Sequence, residues 1–322
     1  MFRSSILKTA LLLLILVCSC RNENKVSEEV SQIEINLAVE RFDRAFAKAG
    51  PKDISGLKTD FPFLFSERMP DSLIVSRMKD TLQHQLLREV DEEFGDFNET
   101  KREIKRLFRY LKYYDKSFSV PKVITLTNDV DYRYPVIVTD TLVLVALDNY
   151  LGGDHKFYAN ISDYIKLNMS KNQVVVDLAQ EYAKNRIFPN KMKNFLEEMI
   201  YFGKVLYFKE KVIPFKTDAE KIGYSKEQLE FARLNEEMIW THFVENEMLF
   251  DDDNSLVSRF IADAPFSKFY LGIDNETPGR LGQFIGWQIV RAYMENNDLG
   301  ILDMMKTEPS KIFNESNYKP AK

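Results

Sequence analysis

Cysteine is nearly missing from this 322-residue chain: the only two, Cys18 and Cys20, stand beside the N-terminus, and none follows. The body therefore has no thiol pair for a disulfide, no thiolate cluster for a metal and no cysteine nucleophile. Histidine is almost as scarce, and His84, His155 and His242 each lie more than ten residues from another. No HExxH helix or paired-histidine spacing can be built from them. Glycine-rich phosphate loops, the dinucleotide fingerprint and the G-x-S-x-G elbow are missing too. Neither a metal nor a cofactor is expected. Asp129 with Asp131, and Asp251 to Asp253, lack the glycine and distal glutamate of a calcium loop and read as turns.

Long apolar runs are also lacking. The longest, residues 10–17, is followed almost at once by Arg21 and Glu23, too short for the roughly 20 residues that span a bilayer. Arg3 and Lys8 precede it, and Ser19, a small residue, stands before Cys20. That order is a lipoprotein signal peptide over residues 1–19, with Cys20 the acylated residue; Val17 before Cys18 is a poorer cleavage position. Loss of residues 1–19 removes two basic side chains and leaves 42 against 49 acidic ones, a formal charge of −7. Such a balance argues against a nucleic-acid surface.

What is abundant is core material, 45% hydrophobic and 13% aromatic residues, enough for a globular domain over 33–322 behind a polar, flexible tether at 20–32. Helical spacing of apolar residues starts at 42–49, and the aromatic segment 61–65 reads as a loop docked on the core. Residues 71–93 and 99–114 read as two amphipathic helices. β-branched runs at 122–127, 135–139 and 141–146, punctuated by turn residues, predict a small antiparallel sheet. Helical patterns fill 174–186, 191–208, 225–250, 256–263, 279–297 and 299–305. The fold class is α+β, mainly helical.

Several residues stand out on those helices. The stripe Met192, Leu196, Met199, Gly203, Leu206 with aromatics on the other faces predicts a helix buried on most sides, which makes Glu198 and Lys204 charges in need of partners. Glu236 falls inside an apolar stripe and suggests a buried ion pair. Thr277 suits an N-cap and Pro278 a first helical position, so that Gly279, Gly282 and Gly286 line one face. That groove admits another backbone, either at an internal helix crossing or in a docking slot. Trp287 and Arg291, four apart, can stack.

Longer phrases carry a resemblance. Asn128-Asp-Val-Asp-Tyr-Arg-Tyr-Pro135, Leu147-Asp-Asn-Tyr-Leu-Gly152, Glu198-Met-Ile-Tyr-Phe-Gly-Lys204, Ala264-Pro-Phe-Ser-Lys-Phe269, Pro278-Gly-Arg-Leu-Gly282 and Gly286-Trp-Gln-Ile-Val-Arg291 resemble the gliding-motility lipoprotein GldB family across the mature chain. The resemblance implies a non-enzymatic, acyl-anchored scaffold of the gliding apparatus, acting with type IX secretion proteins as partners. The outer membrane, facing the periplasm, is the expected site. The order of elements is also distantly similar to predicted zinc peptidases. In that placement Val176, Gln180 and Phe202 stand over the metal ligands and Asp177 over the glutamate that acts as general base, which implies a peptidase-like scaffold without metal. The alternative function is a hydrolase of cell-envelope material using Asp177, Glu198 and Glu236.

Replacing Cys20 by alanine is expected to leave the protein without its acyl group, while Cys18→Ala changes little. Mass spectrometry of the mature N-terminus decides the matter, and an acyl group on Cys18 or an uncleaved leader refutes the assignment.

Overall fold

A computed structural model describes residues 25–187, 192–272 and 274–322. Residues 1–19, expected to be a signal peptide, and Cys20 lie outside the described residues. Helix α1 covers 25–31, where the polar sequence reads as tether. Val30 is buried in the main core with Val26 and Ile33 against it. Tyr113 donates to Glu29 Oε2 at 3.1 Å, and Arg109 Nε to the Ile33 carbonyl at 2.9 Å. Two valines four apart are enough to dock a short helix whose remaining residues are charged, so a flexible tether reaching residue 32 is wrong.

Next come β1 (Val39–Arg41), α2 (Phe42–Lys48), α3 (Ile54–Asp60), α4 (Asp71–Lys79), α5 (Thr81–Glu93) and α6 (Asn98–Tyr114). The helix expected over 71–93 breaks at Asp80, whose carboxylate accepts from the Gln83 amide at 2.9 Å and caps α5. Phe61 packs edge-on to Phe42 at 5.0 Å inside a second, smaller core, while Phe63 stays 44% exposed.

The sheet adds β2 (Lys122–Leu126), β3 (Val136–Val138) and β4 (Leu142–Ala146), in the order β1-β2-β4-β3. β1–β2 and β2–β4 are parallel, and β3–β4 alone is antiparallel. The wholly antiparallel expectation therefore fails. Residues 127–135 carry the chain past the position of β4, so β3 returns beside it instead of pairing with β2. β2 and β4 are apolar without alternation because both faces are covered, Val123, Val143 and Val145 by the main core and Ile124 with Leu144 by the smaller one.

Helices fill the rest: α7 (Asp163–Lys166), α8 (Val174–Lys184), α9 (Phe195–Val212), α10 (Asp218–Ile222), α11 (Lys226–Leu234), α12 (Glu236–Glu245), α13 (Asn254–Phe260), α14 (Leu281–Asn296), α15 (Ile301–Lys306) and α16 (Pro309–Ser316). The helix expected over 225–250 breaks at Asn235, whose side chain donates to the Phe231 carbonyl at 2.8 Å. The class is α+β, mainly helical, as the patterning indicates.

α14 starts later than expected. Thr277 is no N-cap: its hydroxyl donates to the carbonyls of Ser267 (2.9 Å) and Asp274 (2.8 Å). Arg280, at φ 61°, turns the chain into the helix. Pro278 and Gly279 belong to that loop, where a Cβ on Gly279 would overlap the Ala264 carbonyl.

The expected three-glycine groove is not one surface: Gly279 lies in the loop, Gly282 faces Phe260 and Ile261, and Gly286 alone sits at an internal crossing of α14 over α9. A Cβ on Gly286 would overlap the Met199 carbonyl, and one on Gly203 would overlap the Gly286 carbonyl. Gly282 is less tight, because a Cβ there meets the mobile end of Ile261 at 2.8 Å and the Phe260 carbonyl at 3.0 Å. Gly286→Ala is accordingly expected to destabilise by about 3 kcal/mol or more and Gly282→Ala by about 1 kcal/mol, from the usual range for overpacking. Urea unfolding checks the order, and equal effects would show that the helices can separate freely.

Candidate functional site

A cleft with a volume of about 640 Å³ is bounded by the 132–136 segment, α8, α9 and the start of α14. Its outer wall starts from a strained turn. Asp129 and the β-branched Val130 both adopt left-handed backbone, at φ 61° and 58°, a conformation few such residues take. Asp148 holds them there. Its buried carboxylate accepts from the amides of Asn128 (3.1 Å) and Val130 (2.8 Å), and burial pushes its pKa up to about 6. Asn149 adds a bond from Nδ2 to Asn128 Oδ1 at 2.8 Å, while its own Oδ1 finds no partner among the described residues.

The cleft floor comes from α8 and α9. Tyr150 donates to Asp177 Oδ2 at 2.7 Å, and Lys209 Nζ donates to Gln180 Oε1 at 3.2 Å. Burial raises the Asp177 carboxyl and lowers the Lys209 ammonium, and each opposes the other's shift through its charge. Val176, Asp177, Gln180 and Phe202, four positions separated in sequence, all line this one cleft.

The other residues singled out from sequence, Glu198, Lys204, Glu236, Gly279, Gly282, Gly286, Trp287 and Arg291, lie elsewhere, and none of them lines the cleft. Glu198 on α9 is half-buried, its pKa raised by burial and by Glu197, with no ion-pair partner among the described residues. Lys204 is buried and donates to the carbonyls of Met305 (3.3 Å) and Thr307 (2.5 Å) at the end of α15. Glu236 makes no ion pair among the described residues; it accepts from the Tyr318 hydroxyl at 2.9 Å and the Ala321 amide at 3.2 Å. A carboxylate can be satisfied by neutral donors, so the ion-pair expectation is corrected.

Trp287 and Arg291 form part of a network. The Arg291 guanidinium carbon lies 3.9 Å from the indole centroid. Its Nε donates to Glu210 Oε2 at 2.7 Å and its Nη2 to Asp218 Oδ2 at 2.9 Å, while Trp287 Nε1 also reaches Glu210 at 3.1 Å. This ties α9, α10 and α14 together. Sequence reading missed Tyr150, Asn149, Lys209 and Glu210. The signal was available for Lys209, since a helix buried on most sides that makes Lys204 anomalous makes Lys209 so as well.

Fold and cleft together define a helix-dominated α+β protein with a polar-floored cleft in which, among the described residues, no group of three His, Cys, Asp or Glu converges to hold a metal. The family model described as gliding motility protein GldB matches residues 23–320, and the chain belongs to that family. No curated protein and no solved structure gives a match. The similarity to zinc peptidases thus has no support from a solved structure.

Burial lowers the Lys204 pKa to about 8 from an ordinary 10.5, with Glu308 partly offsetting it. Between those values the unfolded chain binds more protons than the native one, so stability rises with pH in that window. Compared with Lys204→Met, the wild type is expected to gain up to about 3 kcal/mol from pH 8 to 10.5. Urea unfolding of both proteins at several pH values tests this, and parallel pH profiles would refute it.

Proposed function

We propose that this protein is an acyl-anchored, non-enzymatic scaffold of the gliding apparatus that binds other motility proteins and works alongside type IX secretion. The observation that carries the reading is the family match over 23–320. The signal-peptide pattern ending at Cys20 supports the anchor, and Arg21 next to it favours the outer membrane, facing the periplasm. No described helix is long and apolar enough to cross a membrane. With residue 25 already in α1, about 18 Å of chain at most separates an acylated Cys20 from the folded body. Partners would be met close to the bilayer.

The hydrolase alternative needs cooperating carboxylates in one place. Asp177 lies on the cleft floor, Glu236 is engaged by the C-terminal segment, and Glu198 lines neither site. That separation favours binding over catalysis by this set.

A photoreactive residue placed at Tyr134, beside the cleft, and at exposed Leu234 on α11, in intact cells, is expected to capture gliding or secretion proteins, identified by mass spectrometry. Capture of none from either position would reject the scaffold. Cleavage of envelope material by purified protein, lost in Asp177→Asn, would replace it with the enzyme.

A further inference from the structure

Deepening the scaffold reading, on which this rests, we propose that the cleft takes an extended peptide segment of a partner protein, which adds as a strand to the free edge of β3. β3 is the last strand of the sheet. Its ladder to β4 fixes which way its amides point: Ala146 N donates to the Pro135 carbonyl at 2.9 Å and Thr139 N to the Leu142 carbonyl at 2.8 Å. Residues 135, 137 and 139 therefore face β4, and strict alternation turns the N–H and C=O of Val136 and Val138 outward. Pro135 and Val136 line the cleft, so this edge leads away from the cleft at its Val136 end, and a segment paired with β3 would enter the cleft there.

Exposed edges are usually blunted by charge, bulges or a covering element. Here the edge is Val136-Ile137-Val138, with Ile137 46% exposed, and Tyr132 and Tyr134 stand exposed just before it. The deeper groups match a peptide as well. Asn149, 2% exposed, has an acceptor without a partner, and Lys209, 3% exposed, uses one bond of an ammonium that has three donors. A peptide supplies donors and acceptors in alternation, whereas an acyl chain would leave both unsatisfied. Charge narrows the choice further. The lining carries four acidic side chains (Asp177, Glu181, Glu220, Asp263) against five basic ones, which suits a segment of balanced charge. Its volume of about 640 Å³ lies within the range of ligand clefts.

Decapeptides selected from a random display library against the whole mature protein provide the probe. Binding of a selected peptide is expected to fall at least about tenfold when alternate residues are N-methylated and to be little changed at the residues between, because strand addition uses every second amide. Val138→Pro removes an outward N–H without touching the β4 ladder, so it should weaken binding about as much while the melting temperature holds. Should that variant fail to fold, the N-methyl series decides alone. No selectable peptide, or selected peptides indifferent to both changes, would overturn the proposal. In-cell capture from Leu234 without any selectable peptide would remove the cleft site and leave the scaffold. Period-two peptide binding without in-cell capture would keep the site and remove the scaffold.

Discussion

The approach of α9 and α14, backbone against backbone, sets the positions of most other elements. Two glycines make it possible, Gly203 on one helix and Gly286 on the other, each with its missing side chain filled by a main-chain group of the opposite helix. At such a distance the helices cannot slide or rotate independently, since interiors are packed too densely to yield. Everything attached to either helix inherits that registration. Glu210 of α9 thereby meets Trp287 and Arg291 of α14, and Asp218 of α10 is drawn into the same network.

α9 also explains how charge is tolerated in an apolar interior. Lys204, Lys209 and Glu210 leave the helix in different directions and find three kinds of partner: main-chain carbonyls at the end of α15, a side-chain amide on α8, and the indole and guanidinium of α14. Each interaction ties one neighbour to the central helix. Removing one partner would leave the other buried and unsatisfied, which costs about 1–3 kcal/mol or more for a charged group.

Much of this was legible in the sequence, and what was not has physical causes. Periodicity revealed the long helices because one face of each is apolar, and the glycine spacing on α14 announced a close approach. The partner glycine lies on the helix that reads as buried, but pairing Gly203 with Gly286 across 83 residues needs information that one chain's periodicity lacks. Breaks at Asp80 and Asn235 were overlooked because a polar residue in a helical pattern fits a solvated face as well as a cap. Strand direction failed because the turn residues around β3 describe local reversals and not how far a loop travels. The cleft was legible only piecemeal: Val176, Asp177, Gln180 and Phe202 could be named, whereas Tyr150 and Asn149 look like ordinary residues after a strand until the loop closes over them.

The bonds that close the fold have a common span. Trp287 reaches Glu210 across 77 residues, Arg291 reaches it across 81, Tyr318 reaches Glu236 across 82 and Lys204 reaches Thr307 across 103. Loops of that size form late and slowly compared with local helix formation. A chain emerging N-terminus first therefore presents α9 with its apolar sides uncovered until α14 arrives. In that interval the half-assembled molecule is a target for aggregation and for holding chaperones. Its time of exposure is governed by the rate at which the last hundred residues are delivered.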